Sequence, residues 1–194
     1  MAVPVSLYVA ANWPRRASGQ LLLAGVKQWC ASSCRPLPNL SLVRSTHGKP
    51  YLEHAPDIHF SVTHSGDFWL CAISAHPVGL DLQQIQKAPT RKLARRFFHP
   101  AEADYLEWNP DAFFKIWSAK ESFVKLTGQG IDDSFSAFSM VKHGKIQTEM
   151  GGARFRFLPF APTYTLCLCC RFPTEITTTE LLRTPLAPCP GALV

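Results

Sequence analysis

The run "KIWSAKESFVK", Lys115 to Lys125, sets Phe114, Ser118, Glu121 and Lys125 along one stripe of a helix, because residues three and four apart share a face. A carboxylate one turn before an ammonium has two ordinary uses. It can be an exposed ion pair worth about 0.3–0.5 kcal/mol, or it can offer a base and a cation to a reacting phosphate. Phe114 and Ser118 continue the stripe, so the face points at protein or a cleft, and Lys120 beside Glu121 supplies a second cation. That grouping suits a phosphate held with a divalent ion. A second carboxylate stands in "VGLDLQ", where the two-residue period of a strand puts Asp81 and Gln83 on one side. "VTHSG" adds Thr63 and His64, and "HGKP" adds Lys49. Taken singly, each has a plain structural use: a strand-end cap for Asp81, a hydrogen-bonded turn residue for His64, a turn lysine for Lys49.

These residues need elements to bring them together. Asn109 is a good N-cap, Pro110 fits a first helical position, Asp111 suits the positive end of the dipole, and Gly128 can end the helix in a left-handed conformation. The spacing predicts a helix of roughly 18 residues, about 27 Å long. Phe113, Ile116, Trp117 and Val124 form its apolar stripe. Upstream, "IHFSV", "FWLCAIS" and "VGLDLQ" alternate or are rich in β-formers, with "HSGD" and "AHP" as turns, which predicts a three-stranded antiparallel meander. In a meander the ends of the first and third strands share a rim, so Thr63 and His64 meet Asp81 and Gln83. Further helices are predicted over Arg15 to Cys30, Thr90 to Phe98 and Ala101 to Trp108.

At 194 residues, with 46% apolar and 18% charged residues, the chain has the composition of one packed globular unit rather than a disordered one. The formal charge of +6 favours an anionic partner, but the basic residues stand in ones and twos, without the block expected of a nucleic-acid tail. No run reaches the roughly 20 apolar residues of a membrane span. Seven cysteines, an odd number, and the lack of a charged segment before the first apolar stretch point to a reduced, soluble, cytoplasmic protein. The spacings of Cys30 with Cys34 and of Cys167, Cys169 and Cys170 suit a four-cysteine zinc site poorly, and "YTLCLCCRF" reads as a strand. The proline-rich end predicts a loosely ordered tail from residue 176 to 194.

In order along the chain, "GKP", "FSVTHSG", "VGLDLQ" and "WSAKESFVK" resemble the surfactin-type 4'-phosphopantetheinyl transferases, whose motifs are (V/I)-G-(I/V)-D and, later, (F/W)-(S/T/C)-x-K-E-(A/S)-x-x-K. The resemblance runs from about Arg15 to Ile131 and includes "RRFFHPAEADYLE". It implies transfer of the phosphopantetheine arm of coenzyme A to a serine of an acyl, polyketide or peptidyl carrier protein, with magnesium as the ion and adenosine 3',5'-bisphosphate released. Carried over by residue, it implies metal ligation by Asp81, Glu121 and Gln83, and catalysis by Glu121 as base, Lys125 as charge stabiliser and Asp81. It further implies coenzyme A binding by Arg15, Lys49, Thr63, His64, Lys120 and Lys125.

The implied fold is α+β: two similar halves, residues 1–85 and 86–175, each a small antiparallel sheet packed with a long helix, with the active site in the cleft between them. The implied protein is a monomer that binds neither nucleic acid nor membrane. The chain departs from the family at two places. Gln83 stands where many relatives carry Glu, which predicts weaker or altered metal binding, and Gln20 stands where relatives often carry Arg. Gln83 also leaves room for a weak or inactive coenzyme A-binding homologue.

Overall fold

The computed structural model of the protein describes residues 2–128 and 134–181. Strand β1 (Val3–Ala11) leads through a 3₁₀ turn at Arg15–Ala17 into helix α1 (Ser18–Ser32). A small hairpin of β2 (Leu42–Arg44) and β3 (Pro50–Leu52) follows, then β4 (His59–Ser65), β5 (Phe68–Ser74) and β6 (Val78–Gln84). Helices α2 (Thr90–Phe97), α3 (Pro100–Trp108), α4 (Phe113–Thr127) and the short α5 (Ser134–Ala137) come next. The chain returns through β7 (Val141–Lys142), β8 (Lys145–Ile146), β9 (Glu149–Met150), β10 (Ala153–Leu158), β11 (Tyr164–Cys170) and β12 (Thr174–Glu180).

Two four-stranded sheets organise this mixed α+β protein, in the orders β12-β1-β5-β4 and β6-β11-β10-β9. The side-chain period of two divides each sheet between two cores. Val5, Leu7, Leu70 and Ala72 of the first sheet meet Val78, Leu80, Leu82, Leu166 and Leu168 of the second in a layer between the sheets. On the outer face of the first sheet, Tyr8, Trp69 and Ile73 pack with Leu22, Val26 and Trp29 of α1. On the outer face of the second, Phe155, Cys167 and Cys169 pack with Ile116, Ala119 and Val124 of α4. The order of layers is therefore helix, sheet, sheet, helix.

The predicted meander does not form. β4 and β5 are an antiparallel hairpin, but β6 leaves that sheet and pairs antiparallel with β11, Asp81 opposite Cys167. The edge of β6 that faces β4 is satisfied by side chains instead. Ser61, Thr63 and Ser65 accept from the amides of Leu80, Leu82 and Gln84 at 2.9, 3.1 and 2.9 Å. A seam of hydroxyls joins the sheets, and it still brings Thr63 to Asp81. β6 itself belongs with the second sheet.

The tail expected from residue 176 is structured at its start. β12 pairs parallel with β1, Val5 opposite Ile176, because "TEITTTE" is dense in β-branched residues and the prolines lie beyond it. Residues 182–194 lie outside the described residues. The long helix also begins differently from its prediction. Residues Pro110–Ala112 form a 3₁₀ turn, and Asn109 turns its side-chain amide back to the Tyr105 carbonyl at 3.0 Å in place of capping α4. Gly128 ends α4 at φ +76°, the left-handed stop expected of it. β11 is a strand with three buried cysteines, as its apolar pattern predicts. Among the described residues no helix is long and apolar enough to cross a membrane.

Candidate active site

Three facts of local structure place the carboxylates. Along β6, Val78, Leu80 and Leu82 point between the sheets, so Gly79, Asp81 and Gln83 face α4. Gly79 allows α4 to lie directly on the strand, for a Cβ there would overlap the Ser122 carbonyl oxygen and come within 2.7 Å of the Leu126 nitrogen. On α4, Ser118 and Ser122 are small enough to rest on β11, where their hydroxyls reach Thr165 at 3.5 Å and the Cys167 sulfur at 3.4 Å. The close approach of strand and helix brings Glu121 and Lys125 beside Asp81.

Asp81 is buried, its side chain 3% exposed, and both of its oxygens are engaged. Oδ1 accepts from Lys125 Nζ at 2.7 Å and from the Thr63 hydroxyl at 3.1 Å. Oδ2 accepts from the Gln83 amide nitrogen at 2.8 Å. Lys125 Nζ also donates to the Leu80 carbonyl at 3.2 Å. Glu121 is buried too, and its carboxyl is pushed up to about 7, first by burial and then by the negative charge of Asp81. Lys125 and a hydrogen bond from Trp117 oppose that rise. Trp117 otherwise packs at a tilt within an aromatic cluster, with ring centroids 5.6 Å from Phe113 and from Phe135.

A cavity of about 290 Å³ opens beside this group, with His47, Lys49, Phe60 and Ser61 on one side and Glu121 and Lys125 on the other. Lys49 comes from the turn between β2 and β3, where Gly48 adopts φ +80°. Its ammonium donates to the carbonyls of Lys125 and Leu126 at 2.6 and 3.2 Å, closing the C-terminal end of α4, and burial lowers its pKa. The structure thus collects Thr63, Asp81, Gln83, Glu121, Lys125 and Lys49.

Three expected binding residues are not in the group. Lys120 is wholly buried on another side of α4, since consecutive helical residues diverge by about 100°. Its ammonium pairs with Glu102 at 2.8 Å, donates to the Phe138 carbonyl at 2.6 Å and sits 4.0 Å from the Phe138 ring. His64 points away from Thr63, as neighbours on a strand must, and leans on Trp13 with ring centroids 5.3 Å apart. Arg15 is exposed at the 3₁₀ turn before α1.

Sequence reasoning missed two residues that build the site, Ser61 and Gly79, and one, Glu102, that holds Lys120 apart from it. Glu102 holds Lys120 and accepts from the amides of His99 and Met140 at 3.0 and 2.6 Å. Its signal was the capping box formed by His99 and Glu102 at the start of α3, with Pro100 at the first helical position. Ser61 was legible as a member of the Ser-x-Thr-x-Ser alternation in β4. In the sequence Gly79 stands out only as part of a motif, and its contact with α4 emerges from the fold.

The donor set fits a magnesium ion that shares its ligands with a phosphate. Two carboxylates, Asp81 and Glu121, are what such an ion takes from protein when phosphate and water complete its shell. The Gln83 nitrogen must face Asp81, because a carboxylate only accepts, so its amide oxygen is the atom left for a metal. Among the described residues no three His, Cys, Asp or Glu side chains group as a self-sufficient metal cage.

The profile of the 4'-phosphopantetheinyl transferase superfamily matches residues 77–169, from the turn before β6 into β11. The chain is 32% identical over 164 residues to the 4'-phosphopantetheinyl transferase psf-1 of Bacillus pumilus, covering 76% of this chain and 67% of that one. It is 38% identical over 99 residues to a 4'-phosphopantetheinyl transferase of Bacillus subtilis, covering 48% and 44%. With the Sfp transferase of Bacillus subtilis strain 168 it shares 32% identity over 145 residues, covering 68% and 64%. The chain belongs to the 4'-phosphopantetheinyl transferase superfamily. It spans 44% to 67% of the length of these three relatives.

Proposed function

We propose that the protein transfers the 4'-phosphopantetheine arm of coenzyme A to a serine hydroxyl of an acyl, polyketide or peptidyl carrier protein, with magnesium as the ion, releasing adenosine 3',5'-bisphosphate. What supports this most is the meeting of Asp81 from β6 with Glu121 and Lys125 from α4 beside a cavity lined by β4, the β2–β3 hairpin and α4. The seam of hydroxyls between β4 and β6 would then mark the cleft of a two-halved transferase.

The carrier serine oxygen forms a bond to the phosphorus that bears pantetheine, and the bond from that phosphorus to the bridging oxygen breaks. Glu121 takes the serine proton, its carboxylate standing beside Lys125 at the cavity. Lys125 meets the negative charge that gathers on the departing bisphosphate. Asp81 and Glu121, with the Gln83 amide oxygen, would hold magnesium, which when bound draws charge from the diphosphate oxygens. Lys49 lines the wall where the phosphates enter. Thr63 orients Asp81 from below. The basic excess of the chain would steer an acidic carrier toward the cleft.

A second reading, a coenzyme A-binding homologue without transfer, draws support from Gln83, whose amide donor occupies the oxygen of Asp81 that a third carboxylate would leave open. Incubation with an apo carrier protein, coenzyme A and magnesium separates the two. Transfer adds one phosphopantetheine to the carrier mass, and Glu121→Gln should abolish most of it. Coenzyme A binding without any carrier labelling would favour the second reading, and full labelling by Glu121→Gln would remove Glu121 from the mechanism.

A further inference from the structure

We propose that Lys125 is a built-in counter-ion that bars Asp81 to a lone divalent cation and releases it when a diphosphate takes the ammonium, so that metal and diphosphate bind as a coupled pair. This deepens the transferase reading and rests on its assignment of the cavity to a diphosphate. Asp81 is shielded from solvent, its side chain 3% exposed, while Lys125 is 28% exposed and lines the cavity. Lys125 is thus the residue that both faces the cavity and touches the carboxylate, at 2.7 Å on Oδ1. Thr63 also donates to Oδ1 and Gln83 donates to Oδ2, so each oxygen of Asp81 already carries a protein donor.

Formal charge points the same way. Asp81 and Glu121 are balanced by Lys125 and Lys49, so a divalent cation arriving alone enters a site with no net negative charge and meets an ammonium already on its ligand. The two lysines differ in freedom. Lys49 is fixed on the two terminal carbonyls of α4, at 2.6 and 3.2 Å. Lys125 is a single ammonium on a flexible stem with one carbonyl and one carboxylate as partners, and a diphosphate in the cavity offers it a doubly anionic alternative. Its departure bares Asp81, and linkage requires metal and diphosphate to strengthen each other equally.

Calorimetric titration of manganese, as the metal probe, tests this in the wild type and in Lys125→Met, each with and without inorganic pyrophosphate. Chelation of manganese by pyrophosphate in solution is common to both proteins, so their difference isolates the contribution of Lys125. Lys125→Met should bind manganese alone more tightly than the wild type by a factor within the usual range of coupling, about 5- to 150-fold. The gain from pyrophosphate should shrink in the variant. Equal affinities in the two proteins, or no manganese binding by either, overturn the proposal.

Lys125→Gln, checked for folding by circular dichroism, guards against a misfolded Met variant. A wild type that binds manganese as tightly alone as with pyrophosphate also overturns the proposal, with no variant needed. The outcomes are separable: carrier labelling with equal manganese affinities leaves the transferase and removes the counter-ion, whereas coupled binding without labelling does the reverse.

Discussion

Gly79 and Ser122 meet backbone to backbone, with no room between β6 and α4 for even a methyl group on the strand. The obstacle is a helix carbonyl and the Leu126 amide, not a side chain that could turn aside. Gly79→Ala should therefore cost more than the ~1–3 kcal/mol usual for an overpacked core, and the protein should be insoluble or melt far below the wild type. Gly19→Ala, at a helical position with nothing within 4 Å of a new Cβ, should instead be neutral or gain up to ~1 kcal/mol. Urea denaturation of the two variants checks both signs.

Lys120 and Glu102 form an ion pair with neither side chain exposed, and Glu102 also closes the start of α3. Lys120→Met strands a buried carboxylate, a loss of about 3–5 kcal/mol. Coenzyme A affinity per folded molecule should not change, because the ammonium faces the aromatic core. A marked loss of coenzyme A affinity at full folding would return Lys120 to the binding site.

Glu121 has a pKa raised to about 7 from an ordinary value of 4.5, so the folded protein holds its proton over a pH range in which the unfolded chain has lost it. The penalty for ionising it is absent below about 4.5, grows as the pH rises, and is complete above about 7. Glu121→Gln should leave stability unchanged at pH 4 and raise it at pH 8 by up to ~3 kcal/mol in metal-free protein. Thermal melts at the two pH values measure the difference, and a gain confined to the acid side would contradict the burial of this carboxyl.

Thr63 both accepts from the Leu82 amide and donates to Asp81, at 3.1 Å each. Thr63→Val keeps the shape and loses both bonds, leaving a buried amide unpaired at a cost of ~1–3 kcal/mol. Carrier labelling should slow as well, since Asp81 loses a support. Thr63→Ser should restore most of both properties, and a Val variant equal to wild type in melting and in labelling would deny Thr63 this place.

Much of the site was legible because its residues obey short periods. Glu121 and Lys125 follow from helical spacing, and Asp81 with Gln83 from the alternation of a strand. The fold-level error over β6 has a different origin. Local propensity identifies β6 as a strand but not its partner, and the neighbour in sequence, β5, lost to β11, which lies beyond four helices. Thr63 still reached Asp81, through hydroxyls instead of peptide bonds. Lys120 was misplaced for a reason the sequence did contain, since residues adjacent on a helix cannot share its face. Its partner Glu102 carries a local signal for the start of α3, but nothing local pairs it with Lys120 on α4.

The seam between β4 and β6 is written in Ser61, Thr63 and Ser65, and a seam written in side chains can be respelled. Peptide-to-peptide bonding would have imposed one spacing on every protein of this architecture. Here each rung is a codon, so selection can widen, narrow or tilt the gap beside Asp81 one substitution at a time while both sheets keep their own registers.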